Sequence, residues 1–311
     1  MNWKGVIPAI TTCFDQNYEV DHGFVAEHCR WLVDNGCNGV VALGSLGEGG
    51  SLSYEEKRAV LNTCVAALKG QAPVVASISA LTTSEAVAFA KTAAEARCDG
   101  LMVLPPYVYK GDWREMKAHV SAVFRATSLP CMLYNNPIAY GTDFLPGQIA
   151  ELAAEHSNLA AVKESSTDVR RVTAIRALLG DRLAIFVGVD DAIVEGIAAG
   201  AVGWIAGLCD ALPLESVDLF EFAIGREHEK ALELYRWFLP LLALDTVPKF
   251  VQLIKLVQAE LGIGNTRVRP PRLELEGAEL EGVRHIIREA LRKRPQHSKT
   301  RTTAFRQEVG Q

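Results

Sequence analysis

Short apolar runs rich in β-branched residues recur along the chain at residues 6–11, 39–43, 74–78, 101–104, 131–134, 160–163, 184–187 and 203–205. They are too short for helices, and most are bounded by Gly, Pro, Asn or Asp, which is the signature of buried strands. Between them, at residues 21–35, 54–68, 84–97, 113–126, 145–156, 168–179 and 192–199, apolar positions recur at helical spacing. Two of these helices carry start signals, Ser53 with Glu56 and Thr82 with Glu85, in which a hydroxyl and a carboxylate satisfy orphan backbone donors. Each helical stretch is long enough for a right-handed crossover between parallel strands. Eight such alternations, with no Gly-x-Gly-x-x-Gly after the first strand, predict an α/β protein folded as a (β/α)8 TIM barrel rather than a doubly wound sheet.

The barrel is expected to occupy residues 1–215. Residues 216–225, 227–244, 247–261 and 279–292 read as further helices, so residues 216–293 should form a helical segment packed on the barrel. Residues 294–311 are polar and rich in Lys, Arg, Gln and Thr, which predicts a disordered tail.

Composition narrows the function. A formal charge of −5 and the lack of a long basic run argue against nucleic acid or an anionic membrane surface as partner and favour a small molecule. The seven cysteines are scattered with no C-x-x-C pair, so they read as buried thiols in a cytoplasmic protein rather than disulfides or a zinc cluster. The N-terminal residues do not read as a signal peptide, and no run of about eighteen apolar residues predicts a membrane span. The histidines fall mostly in helical stretches or the tail, and no nicotinamide or flavin fingerprint occurs, so neither a metal nor an added cofactor is expected.

In a parallel barrel the carboxyl ends of the strands converge on the face that holds the chemistry. Lys163 lies at such an exit, where dry walls would depress its pKa and leave a neutral amine able to attack carbonyl carbon. The second strand leads into Gly44-Ser45-Leu46-Gly47-Glu48-Gly49-Gly50, whose freed backbone N–H groups can surround an anion, or which serves simply as a tight turn. Pro105-Pro106-Tyr107-Val108-Tyr109 and Tyr134-Asn135-Asn136-Pro137 place phenols at two more exits, either as packing residues or as proton carriers for a Schiff-base lysine.

Together, Gly44-Ser45-Leu46-Gly47-Glu48, Tyr134-Asn135-Asn136-Pro137 and Val162-Lys163-Glu164-Ser165, in this order and spacing, resemble the dihydrodipicolinate synthase and N-acetylneuraminate lyase family. Pro105-Pro106-Tyr107 and Gly188-Val189-Asp190-Asp191 extend the resemblance, which covers residues 4–295. It implies a homotetrameric TIM-barrel lyase, a dimer of dimers, that forms a Schiff base with a 2-oxo acid and needs no metal. Lys163 matches the nucleophile and Tyr134 the proton-transferring tyrosine. Ser45 matches the hydroxyl leading to a second tyrosine, contributed in several members by a neighbouring subunit, and Tyr107 occupies that second position. The backbone of the Gly44 to Gly47 turn would hold the substrate carboxylate. Leu46 departs from the hydroxyl residue usual there. Ala139 stands where the synthases place an arginine for aspartate semialdehyde. After strand seven, Gly188 and Asp190 would meet distal hydroxyls, although Asp190 and Asp191 equally suit a helix N-terminus. After strand eight, Ile205 would shape the pocket, Gly207 would leave room for a substrate chain, and Trp204 would face the outer helices.

Within the family, residues 41–48 and 134–141 look most similar to 1-pyrroline-4-hydroxy-2-carboxylate deaminases of hydroxyproline catabolism. The preferred reading is therefore a Schiff-base lyase acting on a 2-oxo acid or its cyclic imine. A 2-keto-3-deoxy sugar acid dehydratase and a 4-hydroxy-2-oxo acid aldolase use the same enamine chemistry and stand as alternatives. 4-Hydroxy-tetrahydrodipicolinate synthesis is disfavoured by Ala139, and a 2-oxo acid sensor without turnover would need neither Lys163 nor Tyr134.

Overall fold

The computed structural model describes residues 1–107 and 109–295. Strands and helices alternate through β1 (Gly5–Pro8), α1 (His22–Asp34), β2 (Val40–Ala42), α2 (Tyr54–Leu68), β3 (Val74–Ile78), α3 (Thr83–Glu95), β4 (Gly100–Val103) and α4 (Trp113–Arg125). They continue through β5 (Cys131–Asn135), the short α5 (Pro137–Tyr140), α6 (Pro146–Glu155), β6 (Leu159–Glu164), α7 (Arg170–Leu179), β7 (Ala184–Val187), α8 (Ile193–Ala198) and β8 (Gly203–Ala206). The strands form one eight-stranded parallel sheet in the order β1-β8-β7-β6-β5-β4-β3-β2. A bridge between Ala9 and Val41 closes it into a TIM barrel.

Strand alternation divides the core into two compartments. Ile7, Val41, Val75, Met102, Met132, Ala161, Phe186 and Ile205 pack together inside the barrel. Val6, Val40, Val74, Leu101, Leu133, Val162, Ile185 and Trp204 face outward into the layer shared with the helices. Between β5 and β6 the register skips Ala160, with Cys131 opposite Leu159 and Met132 opposite Ala161. Beyond that bulge Leu133 pairs with Val162 on the outside, and Tyr134 pairs with Lys163 on the inside.

The helix starts follow local chemistry. Ser53 and Glu56 form a complete capping box at α2, whereas Thr82 caps α3 through the Glu85 N–H alone. Asp112 and Glu115 make a second box at α4 that sequence inspection passed over.

After β8 the chain adds α9 (Pro213–Ile224), α10 (His228–Leu242), a 3-10 turn (Ala243–Asp245), α11 (Phe250–Glu260) and α12 (Gly277–Arg292). α11 starts three residues later than the apolar spacing suggests, because Pro248 disfavours helical backbone at Val247. Its Val251, Ile254 and Val257 are buried. Lys255 on the same helix donates to Glu48 at 2.6 Å and to the Arg267 carbonyl at 2.6 Å, with both charged side chains almost fully enclosed. The glycine-rich turn after β2 is thereby tied to the C-terminal segment. All seven cysteines are buried free thiols. Among the described residues no helix is long and apolar enough to cross a membrane. The expected disordered tail lies, from residue 296 on, outside the described residues.

Candidate active site

A cavity of ≈ 470 Å³ opens at the carboxyl ends of the strands, and Lys163 is in its wall. The register of β6 sets this lysine between Tyr134 on β5 and Phe186 on β7. Its side chain is only 6% exposed, and Nζ stands 4.1 Å from the centre of the Tyr134 ring. Burial lowers the pKa of the amine, with Asp245, Tyr140 and Asp190 pulling weakly the other way. A glycine opposite makes the space: a Cβ on Gly188 would lie 2.5 Å from Lys163 Cε and 2.0 Å from Ser165 Oγ. Gly188 also lines the cavity.

Tyr134 is buried, which raises its phenol pKa, and its hydroxyl accepts a hydrogen bond from Asn136 Nδ2 at 3.1 Å. The Tyr140 ring meets it edge-on at 5.8 Å. Tyr140 is carried by α5, which begins with Asn136 as cap and Pro137 in the first turn and stops at Gly141, whose φ of 68° is the left-handed geometry of a helix C-terminus. The Tyr140 hydroxyl is in a short hydrogen bond with Ser45 Oγ. Within the chain, then, the phenol that Ser45 meets belongs to Tyr140 and not to Tyr107. Tyr107 stands one ring further out, 5.8 Å from Tyr140, and is not among the cavity-lining residues.

Gly44, Ser45 and Leu46 all line the cavity. The Leu46 side chain is 3% exposed and belongs to the outer core. Gly47 does not reach the cavity: a Cβ there would lie 2.7 Å from the Ile10 carbonyl oxygen, so this glycine serves the fold of the turn. Its carbonyl accepts from Thr12 Oγ1 at 2.7 Å. Glu48, at φ 53°, turns its carboxylate away to Lys255 and to the Arg269 N–H at 3.0 Å.

Two expectations after β7 and β8 need correction. Asp190 is fully buried and does not line the cavity; it accepts from Trp204 Nε1 at 2.8 Å, Leu208 N at 2.7 Å and Gly207 N at 3.1 Å. It braces the loop after β8, with burial pushing its pKa up to about 6. Gly207 does line the cavity, and the space left by its missing side chain admits the Asp245 carboxyl, since a Cβ there would fall 2.0 Å from Asp245 Oδ1. Ile205 and Ala139 do line the cavity, and Trp204 faces the outer core.

The cavity also holds residues that inspection of the sequence passed over. Tyr140, Asn136, Ser165 and Thr167 come from exits already singled out, whereas Asp245, Thr246 and Arg272 come from the C-terminal segment. The asparagine, proline and glycine around α5 were a usable signal for Tyr140. Nothing local marks Asp245 or Arg272. Chemically, the arrangement offers an amine biased toward its neutral form, a buried phenol against it, a second phenol linked to a serine hydroxyl, and backbone N–H groups at a glycine-rich turn. Among the described residues, no group of three or more His, Cys, Asp or Glu side chains could hold a metal ion.

The family model described as "Dihydrodipicolinate synthetase family" matches residues 2–290. Curated relatives include the 4-hydroxy-tetrahydrodipicolinate synthase of Agrobacterium fabrum, 32% identical over 86% of this chain and 92% of its own. The 4-hydroxy-tetrahydrodipicolinate synthase of Methanocaldococcus jannaschii is 31% identical over 77% of this chain and 82% of its own. Among solved structures, the chloride-inhibited dihydrodipicolinate synthase of Acinetobacter baumannii complexed with pyruvate superposes with a TM-score of 0.88 at 27% identity, covering 93% of this chain and 99% of that one.

Proposed function

The chain belongs to the dihydrodipicolinate synthetase family, whose lyases work through a lysine Schiff base without metal or other cofactor, and on that premise we propose that Lys163 bonds covalently to C2 of a 2-oxo acid or of its cyclic imine. The observation that carries this reading is the placement of Lys163 Nζ, enclosed in the cavity wall and 4.1 Å from the Tyr134 ring. A solvated ammonium would be no nucleophile; desolvation favours the free amine. The backbone N–H groups of Ser45 and Leu46 are suited to the substrate carboxylate, and Tyr134, with Tyr140 and Ser45 behind it, to carrying protons as carbinolamine forms and collapses. The sensor reading is set aside, because the family is one of lyases.

For the substrate, we favour 1-pyrroline-4-hydroxy-2-carboxylate. Lys163 would add to its C2 imine carbon, the ring nitrogen would leave as an amine, and loss of a C3 proton would form the enamine. Expulsion of the C4 hydroxyl as water would leave a C3=C4 double bond. Loss of a proton from C5 and one from the amine, with protonation at C3 and C4, would turn the C5 amine into an imine. Hydrolysis of the C2 and C5 C=N bonds would free Lys163 and release ammonia and 2-oxoglutarate semialdehyde. Ala139 in the cavity wall supports this choice, since it leaves no guanidinium at the position the synthases use for aspartate semialdehyde. A second reading, condensation of pyruvate with aspartate semialdehyde, is favoured by the relatives' names and by Arg272, a different arginine on the cavity wall. Assembly as a homotetramer belongs to the proposal, and sedimentation at working concentration tests it.

The test of the chemistry is to incubate the protein with pyruvate, 2-keto-3-deoxygluconate, 4-hydroxy-2-oxoglutarate and 1-pyrroline-4-hydroxy-2-carboxylate, reduce with borohydride, and map the adduct by peptide mass. The expected adduct is on Lys163, with ammonia released only from the cyclic imine. An adduct on another lysine, or none, would overturn the mechanism. Faster product formation from pyruvate plus aspartate semialdehyde would transfer the assignment to the second reading.

A further inference from the structure

Besides Lys163, two charged side chains line the cavity: Arg272, whose guanidinium leans toward Glu48 at 3.9 Å, and Asp245. Asp245 ends the 3-10 turn Ala243–Asp245, which is fixed by the buried Leu244 and by Thr246, whose Oγ1 donates to Ala243 O at 3.0 Å and Asp191 Oδ2 at 3.3 Å. Its carboxyl group lies against the backbone of Gly207, where any larger residue would place a Cβ 2.0 Å from Oδ1. Among the described residues no N–H or O–H group hydrogen-bonds to that carboxyl. Such a group, partly buried in a cavity wall and without a protein partner, is open to a ligand's hydroxyl in place of water. We propose that Asp245 is a further catalytic residue, which holds the oxygen on substrate C4 and donates the proton with which that oxygen departs.

The inference rests on the Schiff-base reading of the site. With C2 fixed to Lys163 and the carboxylate at the Ser45 and Leu46 backbone, the rest of the substrate must extend along the remaining wall, where Ala9, Met102 and Ile205 are apolar, Asn136, Ser165, Thr167, Thr246 and Arg272 are polar, and Asp245 alone carries a carboxyl. In the elimination the enamine nitrogen's electron pair reforms the C2 iminium and the C2=C3 pair becomes C3=C4. The C4–O bond breaks, its electrons stay on oxygen, and the Asp245 proton completes a water molecule. Asp245 is left as carboxylate, and the proton released at C3 makes good its loss, relayed by Tyr134, which gives up its own hydroxyl proton as it receives that one. Burial and the neighbouring Asp190 raise the Asp245 pKa, and this supports a protonated carboxyl before the step. A mere counter-ion for Lys163 would instead hold the amine charged and slow every step that begins with it.

That difference selects the experiment. Pyruvate has no oxygen on C4, so exchange of its methyl protons in D2O, followed by NMR, reports the amine and the enamine alone. In Asp245→Asn, pyruvate exchange and borohydride trapping on Lys163 should stay within about 3-fold of the unaltered protein. The kcat for a C4-hydroxylated substrate, 1-pyrroline-4-hydroxy-2-carboxylate or 4-hydroxy-2-oxoglutarate assayed for loss of water, should fall by about 100-fold, the usual worth of a general acid. Gly207→Ala, which displaces the carboxyl without removing it, should show the same split. Unchanged kcat in Asp245→Asn overturns the proposal, as does an equal loss of pyruvate exchange, which would make Asp245 a positioning residue for Lys163. An unaltered protein that exchanges pyruvate but dehydrates neither substrate also overturns it. Failure of the unaltered protein to trap or exchange pyruvate is the separate failure of the Schiff-base reading.

Discussion

Substituting Gly188 by alanine should silence the lysine while leaving its chemistry formally intact. The backbone there lies outside the left-handed region, so alanine brings no conformational strain, only a methyl group. That methyl carbon would stand 2.5 Å from Lys163 Cε and 2.7 Å from Cγ, where carbon atoms in contact prefer about 3.5–4.0 Å. The lysine stem must therefore move by about 1 Å, and the Tyr134 ring limits where it can go. Attack on C2 needs the amine within about 3–3.5 Å, and a displacement of about 1 Å costs on the order of 100-fold, or about 2.7 kcal/mol of barrier. The overpacking itself should destabilise the fold by about 1–3 kcal/mol. The assay is the rate of borohydride-trapped pyruvate adduct at Lys163 in Gly188→Ala, at a temperature where circular dichroism shows the protein folded. Trapping within about 3-fold of the unaltered protein would refute the claim that Gly188 exists to seat the lysine.

Three further outcomes follow from the same geometry. Because burial disfavours the ammonium form of Lys163, adduct formation with pyruvate should rise with pH around a midpoint below 10.5, the ordinary lysine value; a midpoint at or above that value would refute the desolvation argument. Tyr140→Phe removes the hydroxyl bonded to Ser45 and should lower kcat by about 10- to 100-fold with KM little changed; a loss confined to KM would show that Tyr140 only shapes the pocket. Lys255→Met leaves Glu48 buried with one backbone donor and only the partly exposed Arg272 guanidinium, 3.9 Å away, as a charge partner, and should lower stability to urea by about 3 kcal/mol, so a change under about 1 kcal/mol would show the pair to be unimportant.

Much of this was legible because strand and helix periods differ. The apolar run at 74–78 and that at 184–187 coincide with β3 and β7, and the capping box fixes the start of α2. At the site, Lys163 and Tyr134 could be placed at strand exits because the register of a parallel sheet brings exits together. Tyr107 rests on motif alone, and within the chain Ser45 meets Tyr140, three residues into a helix too short for periodicity to reveal. Asp190 carries a signal with two meanings, substrate contact or the cap of the next helix, and the structure shows a third role, because the indole and backbone N–H groups of the β8 exit take its carboxylate. Asp245 and Arg272 gave no local sign, since only the packing of the added helices brings them over the barrel mouth. Gly207 lines the cavity as its place after β8 suggests, but the carboxyl packed against it comes from that same distant stretch and left no local sign.

The pairing of Glu48 with Lys255 joins positions 207 residues apart. During synthesis all eight strands are translated before the lysine that neutralises Glu48 and the aspartate beside Gly207. Contacts of such long separation form late, after much loop entropy has been surrendered. A chain that stops short of α11 therefore lacks the cation that pairs with Glu48, so the glycine-rich turn after β2 takes its final setting from a segment made last.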